Sequence, residues 1–99
     1  MDRYKSKFTP KRKILRVHFE GGSEHHHISK VEYEDQETLE KIDISTVEMI
    51  KFIKESSCKV FVQVDEEKVE VHVINAEPKY LRTKANGIET DNLLNLETF

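Results

Sequence analysis

The 99-residue chain has one cysteine, no tryptophan, three glycines, two prolines and no apolar run longer than a few residues. Cys58 alone can form neither an internal disulfide nor a multi-cysteine zinc site, so nothing demands an oxidising compartment. Glycines at 21, 22 and 87 make no Gly-rich phosphate loop, and there is no serine elbow. A bilayer span needs about 18 consecutive apolar residues, and the basic N-terminus leads into no secretory-type apolar stretch. These absences point to a soluble cytoplasmic protein. Enough apolar residues remain for a core, since Leu, Ile, Val and Phe make up 28 of the 99 residues. That lies above the roughly 20% below which a charged chain stays disordered. One modest domain is expected.

Charge is unevenly spread. Residues 1–16 hold seven basic groups and one acid, Asp2, while the rest of the chain is acidic. The pattern reads as a flexible basic arm over residues 1–11 ahead of a single domain over 12–99. An arm of this kind binds phosphates without any sequence code, which would use Lys5, Lys7, Lys11, Arg12 and Lys13, with Tyr4 and Phe8 as stacking platforms.

After Pro10, residues Ile14 to Phe19 alternate as a half-buried strand, with Leu15, Val17 and Phe19 inward. Gly21 and Gly22 end it, and a loop through three histidines leads to a second strand, Ile28 to Tyr33, with Val31 and Tyr33 on one face. Residues 34–43 show no clear period and read as a connection. Ser45-Thr46-Val47-Glu48 has the form of a capping box, and a helix of about three turns follows with Met49, Ile50 and Ile53 on one side. Cys58 to Val64 and Val69 to Ile74 are alternating runs joined by Asp65-Glu66-Glu67-Lys68. Setting Val64 opposite Val69 places Val62 opposite Val71 and Val60 opposite Val73 in the core, with Phe61 opposite His72 and Gln63 opposite Glu70 outside. Lys79 to Thr83 forms another strand, Asn86-Gly87 a turn, and Asp91 to Leu96 a short helical turn docking its leucines. The expected fold is α+β in the order ββαβββ: a four- to five-stranded, mainly antiparallel sheet carrying one helix.

Three constellations invite chemistry. His25, His26 and His27 are metal-ligand types, but on an extended chain only His25 and His27 share a face, and a closed site needs further ligands; no metal or other cofactor is expected. Cys58 and His72 would be the nucleophile and base of a cysteine enzyme, yet the expected register puts them on opposite faces. The segment from Tyr80 to Leu94 concentrates directional polar groups beside turn residues. Arg82 and Asp91 can form a fork-type ion pair closing the C-terminal segment onto the last strand, or Arg82, Thr83 and Asn92 can present donors to an anionic or peptide ligand beside Tyr80.

Lys79-Tyr80-Leu81-Arg82-Thr83-Lys84-Ala85-Asn86-Gly87, followed by Thr90-Asp91-Asn92-Leu93-Leu94-Asn95-Leu96 and Phe99, resembles the C-terminal signature of a small bacterial and bacteriophage family known only as a domain of unknown function. The front half, with its first strand, Gly loop and His27-Ile28 step, is similar too, and coverage runs over about residues 12–99. Members tend to have Leu-Pro where this chain has Leu96-Glu97. The resemblance implies a compact intracellular domain in an accessory role and carries no activity, cofactor or catalytic residue. The expectation is therefore a non-enzymatic protein-binding module, with edge strands and the outward Phe61, His72 and Ile74 as a contact patch that also suits self-association. The alternative is a nucleic-acid-binding accessory protein using the arm; a metal-dependent or cysteine enzyme ranks last. No membrane partner is expected.

Overall fold

The structure, a computed structural model, describes residues 11–56, 58–85 and 87–99. Residues 1–10 of the arm expected over 1–11, with Lys5 and Lys7, lie outside the described residues, as do Ser57 and Asn86, while Lys11 opens the first strand. The chain is mostly β. Strands β1 (Lys11–Phe19), β2 (Ile28–Asp35) and β3 (Lys41–Ser45) precede the one α-helix among the described residues, α1 (Thr46–Glu55); β4 (Lys59–Val64), β5 (Glu67–Ile74), β6 (Tyr80–Ala85), β7 (Ile88–Thr90) and β8 (Glu97–Thr98) follow it. Two 3-10 turns, His25–His27 and Asn92–Asn95, complete the order. All eight strands form one sheet, ordered β3-β2-β1-β4-β5-β6-β7, with β8 on β1. The pairs β1–β4 and β1–β8 are parallel and the others antiparallel.

This overturns the expected four- to five-stranded sheet in the order ββαβββ. The largest omission is β3, in a region read as a connection. There the Asp35 carboxylate accepts the Glu37 and Thr38 N–H groups (2.8 and 3.2 Å), Leu39 takes a left-handed φ of 64°, and the chain returns with Ile42 opposite Tyr33 and Ile44 opposite Val31. Those two N–H bonds also hold the Asp35 carboxyl below the usual carboxylate range. β7 and β8 are three and two residues long, too short to show a period.

Two registers differ as well. In β1 the pairing shifts between Ile14 and Arg16, a bulge at Leu15. One extra residue breaks the alternation, so Ile14 and Val17, three apart, both enter the core and Leu15 does not. In the β4–β5 hairpin Val62 faces Val69 and Phe61 faces Glu70, because a tight turn at Asp65 and Glu66 replaces the four-residue loop. Asp65 accepts a left-handed φ of 54° to make it. The displacement is two residues, an even number, so every side chain keeps its expected face.

The helix forms where its cap places it. Ser45 Oγ accepts the Glu48 N–H (3.2 Å), while Ser45 itself closes β3. The Thr46 hydroxyl donates to the Ile28 carbonyl (2.7 Å), tying the helix start to the head of β2. Met49 and Ile50 are buried against the sheet core of Ile14, Val17, Val31, Val60, Val62 and Leu81. Leu93, in the last 3-10 turn, is fully buried there too, and the Phe99 N–H donates to the Val17 carbonyl beyond β8. Among the described residues no helix is long and apolar enough to cross a membrane.

Candidate functional site

Strand alternation sends Leu81 and Thr83 of β6 into the core and leaves Tyr80 and Arg82 on the other face. Gly87, at φ 78°, turns the chain so that β7 returns with Thr90 opposite Thr83. Arg82 is thereby surrounded by acceptors: Nε donates to the Thr90 carbonyl (3.2 Å), Nη2 to Asp91 Oδ1 (2.8 Å), and Nη1 lies 3.2 Å from Glu89 Oε1. Behind it the buried Thr83 hydroxyl meets the Thr90 hydroxyl (2.7 Å) and accepts the Asn92 N–H (3.3 Å), while Thr90 Oγ1 donates to Asn92 Oδ1 (2.7 Å). The structure therefore brings together Arg82, Thr83, Asp91 and Asn92, as the sequence suggests, and uses their bonds on one another.

Nothing in the residue pattern places His25 here. Residues 25–27 form a 3-10 turn and not an extended chain, so alternation does not govern them. His25 stacks against Tyr80 with ring centroids 6.3 Å apart, and its Nε2 lies 3.8 Å from Asp91 Oδ1. The residue is 8% exposed and that nitrogen has no hydrogen-bond partner. Burial first, then the Arg82 guanidinium, push its pKa below the usual imidazole value, against the pull of Asp91, Glu24 and Glu89. His27 Nδ1 accepts the Glu24 N–H (3.1 Å), and its ring fills the space where a Cβ on Gly22 would stand. Among the described residues no three His, Cys, Asp or Glu side chains converge to hold a metal ion. No hydroxyl or thiol of the described residues bonds to His25 Nε2.

Cys58 is buried in the core, where Arg12 Nη1 donates to its Sγ (3.0 Å). Arg12 points inward because β1 pairs with β4 in parallel, setting Arg12 beside Val60 on the core face. Its guanidinium lies 4.0 Å from the Phe52 ring centroid and 4.9 Å from that of Tyr33. Burial raises the Cys58 thiol pKa despite this cation. His72, on the other face, lies 3.2 Å from Glu70.

The same pairing sets Lys11 beside Lys59 and Lys13 beside Phe61 on the outward face. Phe61 is 7% exposed and Lys68 Nζ stands 5.0 Å over its ring, so Phe61, His72 and Ile74 do not form the open apolar patch expected of them. A hollow of about 200 Å³ opens beside Phe61, walled by Lys11, Lys59, Lys68 and Glu70 over Val60. Of the basic residues expected to meet phosphate, Arg12 is turned away, Lys13 lies 3.7 Å from Glu34, and Lys11 reaches this hollow.

Apolar surface gathers instead around β3. Of the four large hydrophobics exposed among the described residues, Leu39 (65%), Ile42 (36%) and Val47 (65%) fall within nine residues of chain; Ile88 is the fourth. β3 is hydrogen-bonded to β2 on one side and ends the sheet order on the other.

Residues 13–97 match the model of a family described as "Protein of unknown function (DUF3892)". No curated protein and no solved structure matches the chain.

Proposed function

We propose, for a chain that belongs to the DUF3892 family of proteins of unknown function, a non-enzymatic role: binding an extended protein segment along the free edge of β3. The carrying observation is the coincidence of an open backbone edge with the exposed Leu39, Ile42 and Val47. An unpaired strand edge offers a row of N–H and C=O groups to another strand, and adjacent apolar side chains supply the contact area that makes such pairing specific. The opposite edge, β7, is three residues long and offers correspondingly fewer bonds. The β3 sequence dictates the partner's pattern: apolar residues opposite Ile42 and Ile44, with a carboxylate opposite Lys41 and a cation opposite Asp43. An accessory protein of bacteria or their phages, acting inside the cell, fits this reading.

The test uses the full isotope-labelled chain and synthetic hexapeptides that alternate Val or Ile with Lys or Glu. Binding should shift the amide resonances of residues 41–45 and slow their hydrogen exchange, and Ile42→Lys, at an exposed position, should abolish both without unfolding the domain. Shifts confined to β7, no shift up to millimolar peptide, or a dimer of the chain that Ile42→Lys dissociates would overturn the proposal.

A further inference from the structure

The hollow beside Phe61 lies apart from β3, on the outward face of β4 and β5, and its chemistry differs from that of the edge. In a chain of formal charge −3, three ammonium groups and one carboxylate wall it. The carboxylate, Glu70, is already shared between Lys59 (3.6 Å) and His72 (3.2 Å). Lys11 and Lys68 have no acidic partner within 4.0 Å among the described residues, and Lys68 rests over the Phe61 ring. The floor is apolar, made by Val60 and Phe61.

We infer that this hollow binds one nucleotide unit, with its phosphate between the Lys11, Lys59 and Lys68 ammoniums and its base laid against Phe61. Lysine is a point charge that meets phosphate from any side, and a flat aromatic base has the shape to take the place of the Lys68 ammonium over the ring, while that ammonium turns to the phosphate. A volume of about 200 Å³ lies below the usual 300–1,000 Å³ of drug-sized pockets, so the hollow takes no more than one unit. That unit is either a free nucleotide or one position of a single strand. The exposed lysines surround the hollow because β1 lies beside β4 in parallel and the tight hairpin puts Lys68 opposite Gln63, so the site joins residues more than 40 positions apart.

The experiment titrates the full chain at 50 mM salt with adenosine monophosphate, followed by amide resonances, and with a fluorescent twelve-nucleotide deoxythymidine strand, followed by anisotropy. One or both probes should bind, with shifts centred on Lys59 to Phe61 and Lys68 to Glu70. Saturation by the mononucleotide identifies a free ligand; binding of the strand alone identifies single-stranded nucleic acid. Replacing Lys11, Lys59 and Lys68 together by serine, with the basic segment 1–10 left in place, should weaken binding by at least about tenfold. For the strand it should also make log affinity against log salt shallower by about 2. Phe61→Leu should weaken binding and leave that slope unchanged. A matched serine triple at Lys51, Lys54 and Lys79 should leave affinity within about twofold. No binding of either probe, equal loss in both triples, or binding of phenyl phosphate with no response to either nucleotide probe would overturn the inference.

Discussion

The surroundings of Arg82 and of Phe61 both gather charge on the sheet, and they differ in how that charge is used. All three Arg82 nitrogens reach oxygen acceptors of the segment from Glu89 to Asp91, and the buried Thr83 hydroxyl behind it is bonded on both sides. Around Phe61 two of the three ammoniums find no carboxylate among the described residues. The first cluster is closed and secures the C-terminal segment to β6. The second is open and keeps its donors for something else. Residue types alone favour the first region as a ligand site; what remains unpaired favours the second.

If the Arg82 region is a clasp, breaking it must cost folding. The largest effect is expected at Leu93, fully buried where the 3-10 turn enters the core: Leu93→Ala should cost about 2–5 kcal/mol in denaturant unfolding. Thr83→Val keeps the shape of the side chain but strands the Asn92 N–H and leaves the Thr90 hydroxyl with its Asn92 bond alone, at about 1–3 kcal/mol. A normal unfolding midpoint in both variants would show that the clasp is ornamental and reopen Arg82 as a ligand group.

The clasp also holds a titrating member. His25 faces Tyr80, Arg82, Asp91, Glu24 and Glu89, and its folded pKa lies below the ordinary 6.5. Below pH 6.5 the unfolded chain therefore takes up a proton at His25 that the folded chain resists. The stability due to the neutral buried ring is full above that pH and is lost as the pH falls through the folded pKa. Urea midpoints at pH 7.5 and 5.5 should fall more for the native chain than for His25→Phe, which keeps a ring against Tyr80 and has no proton to bind. Equal falls would mean that His25 is solvated and not part of the clasp.

What could be read from sequence divides along the same line, between local and distant causes. The helix is legible because Ser45, Met49 and Ile50 act within a few residues of one another. The valine faces of β4 and β5 survive a wrong register because the left-handed Asp65 shortens the turn by an even step. β3 is hidden because its five residues carry just two apolar side chains, Ile42 and Ile44, straight after an acidic stretch, and β8 because it is two residues long. The bulge at Leu15 has no composition of its own. Arg82 and Asp91 are nine residues apart across a turn, so their pairing is foreseeable; His25 reaches them from more than 50 residues away. The basic N-terminal run draws attention to Arg12, which the β1–β4 pairing turns inward, and gives no hint of Lys59 and Lys68.

The smallest expected effect is at the open cluster, and its smallness is what separates the two regions. Lys11 carries no ion pair among the described residues, and the exposed Lys59–Glu70 pair is of a kind worth about 0–1 kcal/mol. The Lys68 ammonium over Phe61 is a cation–π contact worth about 0.5–1 kcal/mol at an exposed site. Single serine replacements should therefore change the urea midpoint least at Lys11, then Lys59, and most at Lys68, each by no more than about 1 kcal/mol. A loss above about 2 kcal/mol at any of them would show that these side chains hold the sheet together as Thr83 does, and the contrast between a closed and an open cluster would fail. Small losses, set beside a clear fall in nucleotide binding by the same proteins, would separate affinity from folding at one site, which the Arg82 cluster cannot do.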